Sequence, residues 1–388
     1  MTMMFSMTRQ RPAAGRSGQH GLTLVELMVG LLIGMFATLM IANVLFSAEG
    51  YKRSTTNGSD AQVNGMLALY MLQRDMQMAG YGVAAIPASL GCPISGKAGS
   101  ATLSAVTLAP VVITPGVDGA PDSLTVLTSA VPSSGFSVPI IVSQNELPAR
   151  TAFDVYSSIG VSAGDLMLAA PPPASTGGGV CSLFTITSDA AAITSTSIPL
   201  DTSVTTNFPA SGYPANSTLI DLGTLGYRSY QIANASNAGN PSLQVLDKLS
   251  GTATDVAPQI VMLRAVYGLD TANSPPSKVN SYTNATPGNW QQVLTVRYVV
   301  VARSAQREKE VVTPGSSILW DLGASATAGG SGAATLASTI AVACADGKNH
   351  CLSITPPNPT GAAAGEWQHY RYKIYDTVVP LRNVLWNS

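Results

Sequence analysis

The sequence predicts an α+β protein in which a long N-terminal α-helix packs on a large, mostly antiparallel β head. Two observations support this fold class. Residues 22–46 read LTLVELMVGLLIGMFATLMIANVLF, where Glu26 is the one ionisable side chain. Further along, short runs of β-branched residues alternate with turn residues, as expected from 36 Gly and 25 Pro. With 46% hydrophobic residues in 388, the chain can bury a sizeable core.

The apolar run at residues 22–46 is long enough to cross a membrane. As a helix, its 25 residues extend about 37 Å, more than the roughly 30 Å of a bilayer's hydrocarbon core. Arg9, Arg11 and Arg16 precede it, and residues 1–21 contain no acidic residue. Because positive charge marks the cytoplasmic side, we expect a single-pass protein with its head on the far side of the membrane.

Helical potential continues beyond the apolar run as far as Pro87, although three glycines weaken its middle: Gly50, Gly58 and Gly65. From residue 61 to 80 the apolar residues fall at helical spacing. One face is predicted to carry Leu69, Leu72, Met76 and Ala79, with Met66 and Tyr70 close by. The second half of the helix is therefore predicted to be an amphipathic stem that packs against the head.

The remainder of the chain reads as an all-β region, because short apolar runs are separated by turn residues and no βαβ unit is evident. The predicted strands include 123–127, 138–142, 165–169, 180–187, 217–222 and 292–301. Residues 171–179 and 324–334 are low in complexity and are expected to be exposed.

The four cysteines favour disulfides over a metal site, since none lies in a CxxC pair or near zinc-like histidines. We prefer Cys344 with Cys351, which closes a short loop, and by elimination Cys92 with Cys181. Four cysteines allow three connectivities, so the other two stay open.

The residues around the start of the apolar run resemble the type III signal of prepilins. In order they are His20, Gly21, Leu22, Thr23, Leu24, Val25 and Glu26. The resemblance implies cleavage between Gly21 and Leu22 by a prepilin peptidase, followed by N-methylation of Leu22. Most family members have Phe at the first mature position, and Leu22 keeps its hydrophobic character.

Glu26 makes insertion of this segment into a membrane less favourable. A charge at the centre of a membrane helix costs about 2.5–3.5 kcal/mol on insertion scales. In a helical stack of subunits, Glu26 could neutralise the N-terminal amine of a neighbour and align the two. The alternative is that Glu26 reaches into the lipid headgroups.

Four segments of the body resemble PilW-type minor pilins, which are similar to the GspJ-type minor pseudopilins of type II secretion. They are LQRDMQMAGYG at 72–82, VAPQIVMLRAVYGLD at 256–270, NWQQVLTVRYVVVAR at 289–303 and YRYKIYDTVVPLRN at 370–383. The resemblance implies a pilin-like fold with four parts. These are a leader at residues 1–21, a transmembrane helix at 22–46, a stem at 47–82 and a periplasmic head at 83–388.

The resemblance also implies a structural function. We expect a minor pilin that takes part in type IV pilus assembly, first in the inner membrane and then at the pilus tip. The implied partners are other minor pilins, the major pilin, the prepilin peptidase, the inner-membrane assembly platform and a PilY-type tip adhesin. A minor pseudopilin of type II secretion is one alternative. A tip adhesin or DNA-binding module is another, since basic and aromatic residues mix at 369–375.

We expect no enzymatic activity, no cofactor and no metal. The chain has three histidines, and His20 would leave with the leader. The two others, His350 beside Cys351 and His369, form no recognisable nucleophile arrangement. A polar loop could offer oxygen ligands to calcium, but its spacing is not that of an EF-hand, so ordinary turn chemistry is favoured. Its residues are Asp270, Asn273, Asn280, Asn284 and Asn289.

Overall fold

The computed structural model describes residues 21, 23–130, 139–147, 150–172, 179–201, 208–235, 240–273, 275–323, 341–344 and 350–385. The predicted leader except Gly21, the first mature residue Leu22 and most of the two low-complexity segments lie outside these residues.

Helix α1 runs without interruption from Leu24 to Met78, through all three glycines that were expected to weaken it. Thr23 caps its start, because the Glu26 N–H donates to Thr23 Oγ1 at 3.3 Å. The helix gives way to turns at Gly80, whose φ of +77° suits glycine. It passes through both compact units of the chain, Met1–Thr56 and Asn57–Ser388.

The described part of the second unit contains nineteen strands and a short C-terminal helix, α2 (Arg382–Leu385). The strands are β1 (Pro93–Ala98), β2 (Ala101–Thr107), β3 (Val111–Thr114), β4 (Ser123–Ala130), β5 (Ile140–Ile141), β6 (Ala152–Asp154), β7 (Leu166–Ala170), β8 (Cys181–Thr185), β9 (Ser197–Pro199), β10 (Thr218–Ala233), β11 (Ser242–Asp247), β12 (Ala253–Pro258), β13 (Ile260–Leu269), β14 (Ser281–Thr283), β15 (Val293–Arg303), β16 (Ile318–Asp321), β17 (Ala341–Ala343), β18 (His350–Ile354) and β19 (Tyr372–Pro380).

The strands form four sheets, and almost every pairing is antiparallel. The largest sheet follows the order β12-β11-β10-β7-β8-β1-β2, and β3, β4 and β5 join it around β10. A second sheet has the order β14-β13-β15-β19, a third has β16-β18-β17, and β6 pairs with β9. The one parallel pair among the described strands joins β1 to β8.

The main core lies between the stem half of α1 and two of these sheets. Ala61, Leu72 and Met76 are fully buried there, in one cluster with residues of β4, β10, β13 and β15. Strand β13 is buried along its whole length, since a further cluster covers its other face. The predicted class, a long helix with a β-rich head, is confirmed.

Two predicted strands have other bounds in the structure. The resemblance to PilW-type pilins implies one strand across residues 256–270, but the chain turns at Gln259, which has a φ of +59°. Gln259 is held there because its carbonyl accepts from the Arg303 N–H at 2.8 Å and its Oε1 from Arg303 Nη2 at 3.0 Å. The strand expected at 217–222 continues to Ala233 as β10.

Candidate functional site

The stem, residues 57–78 of α1, is held to the head by side chains that reach its backbone. The Tyr298 hydroxyl donates to the Leu69 carbonyl at 3.1 Å, and the Tyr375 hydroxyl donates to the Gln62 carbonyl at 3.1 Å. Asn383 Nδ2 donates to the carbonyl of Ala79, just after the helix, at 2.9 Å. Burial raises the pKa of the Tyr298 phenol, so it remains a protonated donor at physiological pH.

Asp75 supplies the stem's own contribution to this attachment. Its Oδ2 accepts from the Tyr230 hydroxyl at 2.7 Å and pairs with Arg228 Nη1 at 3.2 Å. Burial, with the adjacent carboxylate, raises the pKa of Tyr230 as well. These contacts fix one side of the stem against the head.

The opposite side of the stem carries apolar side chains that are exposed to solvent. They follow helical spacing, and each is between 41% and 61% exposed. We call them the outer stripe: Val63, Met66, Leu67, Tyr70 and Met78.

The outer stripe corrects the predicted position of two residues. Met66 and Tyr70 were placed near the buried face, but at 3.6 residues per turn they point away from fully buried Leu72. The exposed face of the stem therefore carries apolar side chains as well, interrupted by exposed Arg74 between Tyr70 and Met78. Exposed apolar side chains that follow one helix face are typical of a contact surface, and the described residues leave this one open to solvent.

The described part of the N-terminal unit is almost entirely helical, and its apolar side chains are exposed. Leu24–Glu49 has a mean hydropathy of 2.3 and is long and apolar enough to cross a membrane. Gly21 is exposed just before it, and Glu26 lies in the first helical turn. Thr23 is the N-cap of this helix, and the Thr-x-x-Glu spacing of residues 23–26 in the sequence could have revealed it.

The structure contains both disulfides that the sequence favoured. Cys92 is bonded to Cys181, and Cys344 to Cys351. The first joins the residue before β1 to the start of β8, and the second joins the segment after β17 to β18.

Two family models match the chain. Residues 229–383 match the type IV pilus-assembly protein W, PilW, and residues 16–42 match the prokaryotic N-terminal methylation motif. The late part of the chain is thus similar to PilW, and its start carries the methylation motif. The resemblance drawn from the sequence is confirmed.

Among solved structures, the chain is similar to a type IV-like pilin from Thermus thermophilus. The sequence identity is 11% and the TM-score is 0.30, over 83% of this chain and 97% of that chain. No curated protein shows significant similarity to the chain.

The polar loop considered for calcium lies within the PilW segment and serves the fold. Both Asp270 oxygens accept hydrogen bonds from the loop, including those from the Ser277 N–H at 2.9 Å, the Lys278 N–H at 3.0 Å and Asn273 Nδ2 at 2.9 Å. These bonds hold the pKa of Asp270 well below its usual range. The carboxylate is occupied by N–H donors, which supports the turn chemistry favoured by the sequence.

The basic and aromatic residues near the end of the PilW segment are also used internally. Arg371 pairs with Glu308, and His369 Nδ1 lies 3.2 Å from the Glu308 carbonyl. The Tyr370 ring is buried with Arg303 stacked 4.4 Å from its centre. His369, Tyr370 and Arg371 therefore contribute contacts within the fold.

Proposed function

We propose that this chain is a minor pilin: a low-abundance subunit that joins other minor pilins and the major pilin in the complex that primes type IV pilus assembly. The outer stripe is the observation that carries this proposal. Its apolar side chains would be buried against the helices of neighbouring subunits, while the head covers the opposite face of the stem. The large head suits the fibre tip, since bulky heads repeated along a shaft would collide.

In this proposal the chain first spans the inner membrane once, with a periplasmic head. A prepilin peptidase cleaves between Gly21 and Leu22, and the new Leu22 amine is methylated. The match to the methylation motif at residues 16–42 and the apolar helix Leu24–Glu49 support both steps. The assembly platform then moves the subunit into the fibre, where a PilY-type tip adhesin is a further partner.

Glu26 has an assembly role in this proposal. Its carboxylate neutralises the N-terminal amine of a neighbouring subunit inside the fibre, where an unpaired charge would be costly. Its position in the first turn of α1 supports this role, because the side chain lies close to the end of the helix that enters the fibre core.

We propose a structural role rather than a catalytic one. The polar groups that the sequence singled out, Asp270 and His369 among them, make contacts that stabilise the head. The pairing of all four cysteines in disulfides supports the same conclusion, because a disulfide-bonded sulfur is not a nucleophile.

The test is deletion of the gene, followed by electron microscopy of surface pili and complementation with two variants. Met66→Glu places a charge in the outer stripe, whereas the matched control Gln62→Glu places it at an exposed polar position of the same helix. We expect deletion to reduce pilus number, the control to restore it, and Met66→Glu to fail although the protein is present. Normal pili with lost protein secretion would instead identify a type II pseudopilin. Normal pili with lost adhesion or DNA uptake would identify a tip adhesin or DNA-binding module.

Two further variants test the processing and pairing steps separately. Gly21→Ala should leave the leader attached, which a size shift on an immunoblot would detect. Glu26→Val should be inserted and cleaved but depleted from sheared pili. Normal recovery of Glu26→Val in the pilus fraction would contradict the pairing role.

A further inference from the structure

Strand β19 lies at an open edge of the sheet β14-β13-β15-β19. It pairs with β15 along all nine of its residues without a register shift. The other described strands that end a sheet are either at most four residues long or, like β2 and β12, irregular in register with their neighbours. Proteins commonly shorten or interrupt exposed strand edges, because such edges pair with other chains. The edge of β19 has neither protection.

The hydrogen bonds between β19 and β15 show which backbone groups face outward. The Leu381 N–H, just after β19, donates to the Leu294 carbonyl at 2.9 Å. In an antiparallel pair, residues that bond to the neighbouring strand alternate with residues whose backbone groups point away from it. Counting back from Leu381, the N–H groups of Ile374, Asp376 and Val378 therefore face the open edge. Within the described part of the chain, no backbone group in the middle of β19 bonds outside its pairing with β15.

One face of β19 borders a shallow cavity of about 480 Å³ that it shares with β16. Ile374 and Leu319 line this cavity and are 42% and 46% exposed. The ion pair between Arg297 and Asp376 lies beside them. Because every second side chain of a strand points to the same face, a strand added to β19 would direct alternate side chains toward this cavity. Apolar side chains at those positions would pack on Ile374 and Leu319.

The other face of β19 lies on the stem and adjoins the outer stripe. Tyr375 contacts the stem at Gln62 and Asn383 contacts the residue after it, Ala79, so β19 and the stem run in the same direction. Met66 of the outer stripe follows Gln62 by one helical turn and is 56% exposed. The outer stripe is therefore continuous with the free edge of β19.

We propose that the free edge of β19 binds an extended segment of another minor pilin, which pairs with it as an additional strand. This inference rests on the proposed function, in which the outer stripe faces a neighbouring subunit, and it names the contact of that neighbour with the head. The outward N–H groups supply main-chain hydrogen bonds, and the cavity beside Ile374 selects an apolar side chain. Lys373, which is exposed in β19, favours an acidic residue at that end of the segment.

A second copy of this chain fits the edge less well. Antiparallel pairing of two β19 strands would turn their stems in opposite directions, because each stem runs along its own β19. Copies inserted into one membrane by the same N-terminal segment have the same orientation. The added strand is therefore assigned to a different subunit.

The test is co-purification of the tagged full-length chain, in detergent, with the other minor pilins of the same pilus. Ile374→Pro removes one outward N–H and leaves the donors to β15 in place, whereas the control Ile374→Val keeps that N–H. We expect the control to recover the other minor pilins as the wild type does, and Ile374→Pro to recover about tenfold less at a similar urea midpoint. Equal recovery by the two variants would overturn the proposal.

Met66→Glu separates this proposal from the proposed function. Loss of the other minor pilins in Met66→Glu, together with their retention in Ile374→Pro, would overturn the strand pairing and leave the minor-pilin role standing. Failure of the wild-type chain to recover any other pilin would overturn both.

A second measurement needs no variant. Hydrogen exchange with single-amide resolution should show the amides of Ile374, Asp376 and Val378 exchanging fast in the isolated chain and about tenfold more slowly in the complex. Tyr375 and Thr377, whose N–H groups donate to β15, are the internal reference and should be protected in both. Unchanged exchange at the three outward amides, or protection already present in a dimer of the isolated chain, would overturn the assignment to another minor pilin.

Discussion

The ring of Tyr375 occupies the space in which Gly65 of the stem would carry a side chain. A Cβ on Gly65 would lie 2.0 Å from Tyr375 Cε2, and the hydroxyl of the same tyrosine donates to the Gln62 carbonyl. Gly65 thus allows β19 to approach the helix closely. The sequence alone showed only its cost to helix stability.

Gly65→Ala should therefore destabilise the attachment of the stem, although alanine favours helices. Overpacking typically costs about 1–3 kcal/mol, which outweighs a gain of about 1 kcal/mol in helix propensity. Gly58→Ala is the matched control, since nothing lies within 4 Å of its added Cβ, and it should be neutral or stabilising. Urea unfolding followed by tryptophan fluorescence would measure both. Equal stabilities of the two variants would contradict the close contact.

A buried ion pair ties β13 to the segment before β4. Asp122 Oδ1 accepts from Arg264 Nη1 at 2.7 Å and from the Gly116 N–H at 2.9 Å, while its Oδ2 accepts from the Ala265 N–H at 2.9 Å. Both charged side chains are at most 6% exposed.

Asp122→Ala should be among the most damaging substitutions in the head. It leaves the Arg264 charge and two backbone N–H groups without their acceptor, which typically costs about 3–5 kcal/mol. The control is Glu366→Ala, which breaks the more exposed pair with Arg307 and should cost far less, because solvent screens exposed ion pairs. Urea unfolding of the two variants tests this, because Asp122→Ala should lower the unfolding midpoint much more than Glu366→Ala. A destabilisation at Asp122 as small as that at Glu366 would mean that the buried pair contributes little.

The sequence predicted the features that depend on local pattern. These include the long helix, the Gly21–Glu26 signal and the approximate position of strands such as β13 and β15. It could not reveal pairings that depend on the folded chain. Asp122 and Arg264 are 142 residues apart, and Tyr375 is 313 residues from Gln62, whose carbonyl its hydroxyl contacts. The buried face of the stem was predicted through Leu72, Met76 and Ala79. The outer stripe was missed because Met66 and Tyr70 were grouped with that face.

The two disulfides should contribute unequally to stability. Cross-linking restricts the unfolded chain more when the closed loop is longer. The Cys92–Cys181 bond spans 89 residues and Cys344–Cys351 spans 7. On the chain-entropy estimate, these loops correspond to about 4–5 and about 2 kcal/mol respectively.

Replacing each pair with serines, measured by thermal unfolding under oxidising conditions, should therefore lower Tm more for Cys92/Cys181 than for Cys344/Cys351. Wild type treated with a reductant should resemble the variant that lacks both bonds. The reverse order of the two pairs would show that the packing around each disulfide in the folded state outweighs the loop effect.

The Asp270 loop should lose stability in acid. Hydrogen bonds from the Ser277 N–H, the Asn273 amide and the Lys278 N–H lower the pKa of Asp270. The ionised carboxylate therefore stabilises the fold above pH 3.8, and this contribution is lost as the pH falls through the lowered pKa.

Asp270→Asn should lower Tm at pH 7 and speed hydrogen exchange in residues 271–280, because an amide nitrogen replaces an oxygen that accepts N–H donors. The control is Asp189→Asn, at an exposed turn where Oδ1 accepts from the Ala191 N–H at 3.0 Å. It should leave Tm nearly unchanged. The Tm difference between wild type and Asp270→Asn should shrink as the pH falls below 3.8 towards the lowered pKa of Asp270. A Tm difference between them that stays constant from pH 7 to pH 2 would show that Asp270 acts through packing rather than through its charge.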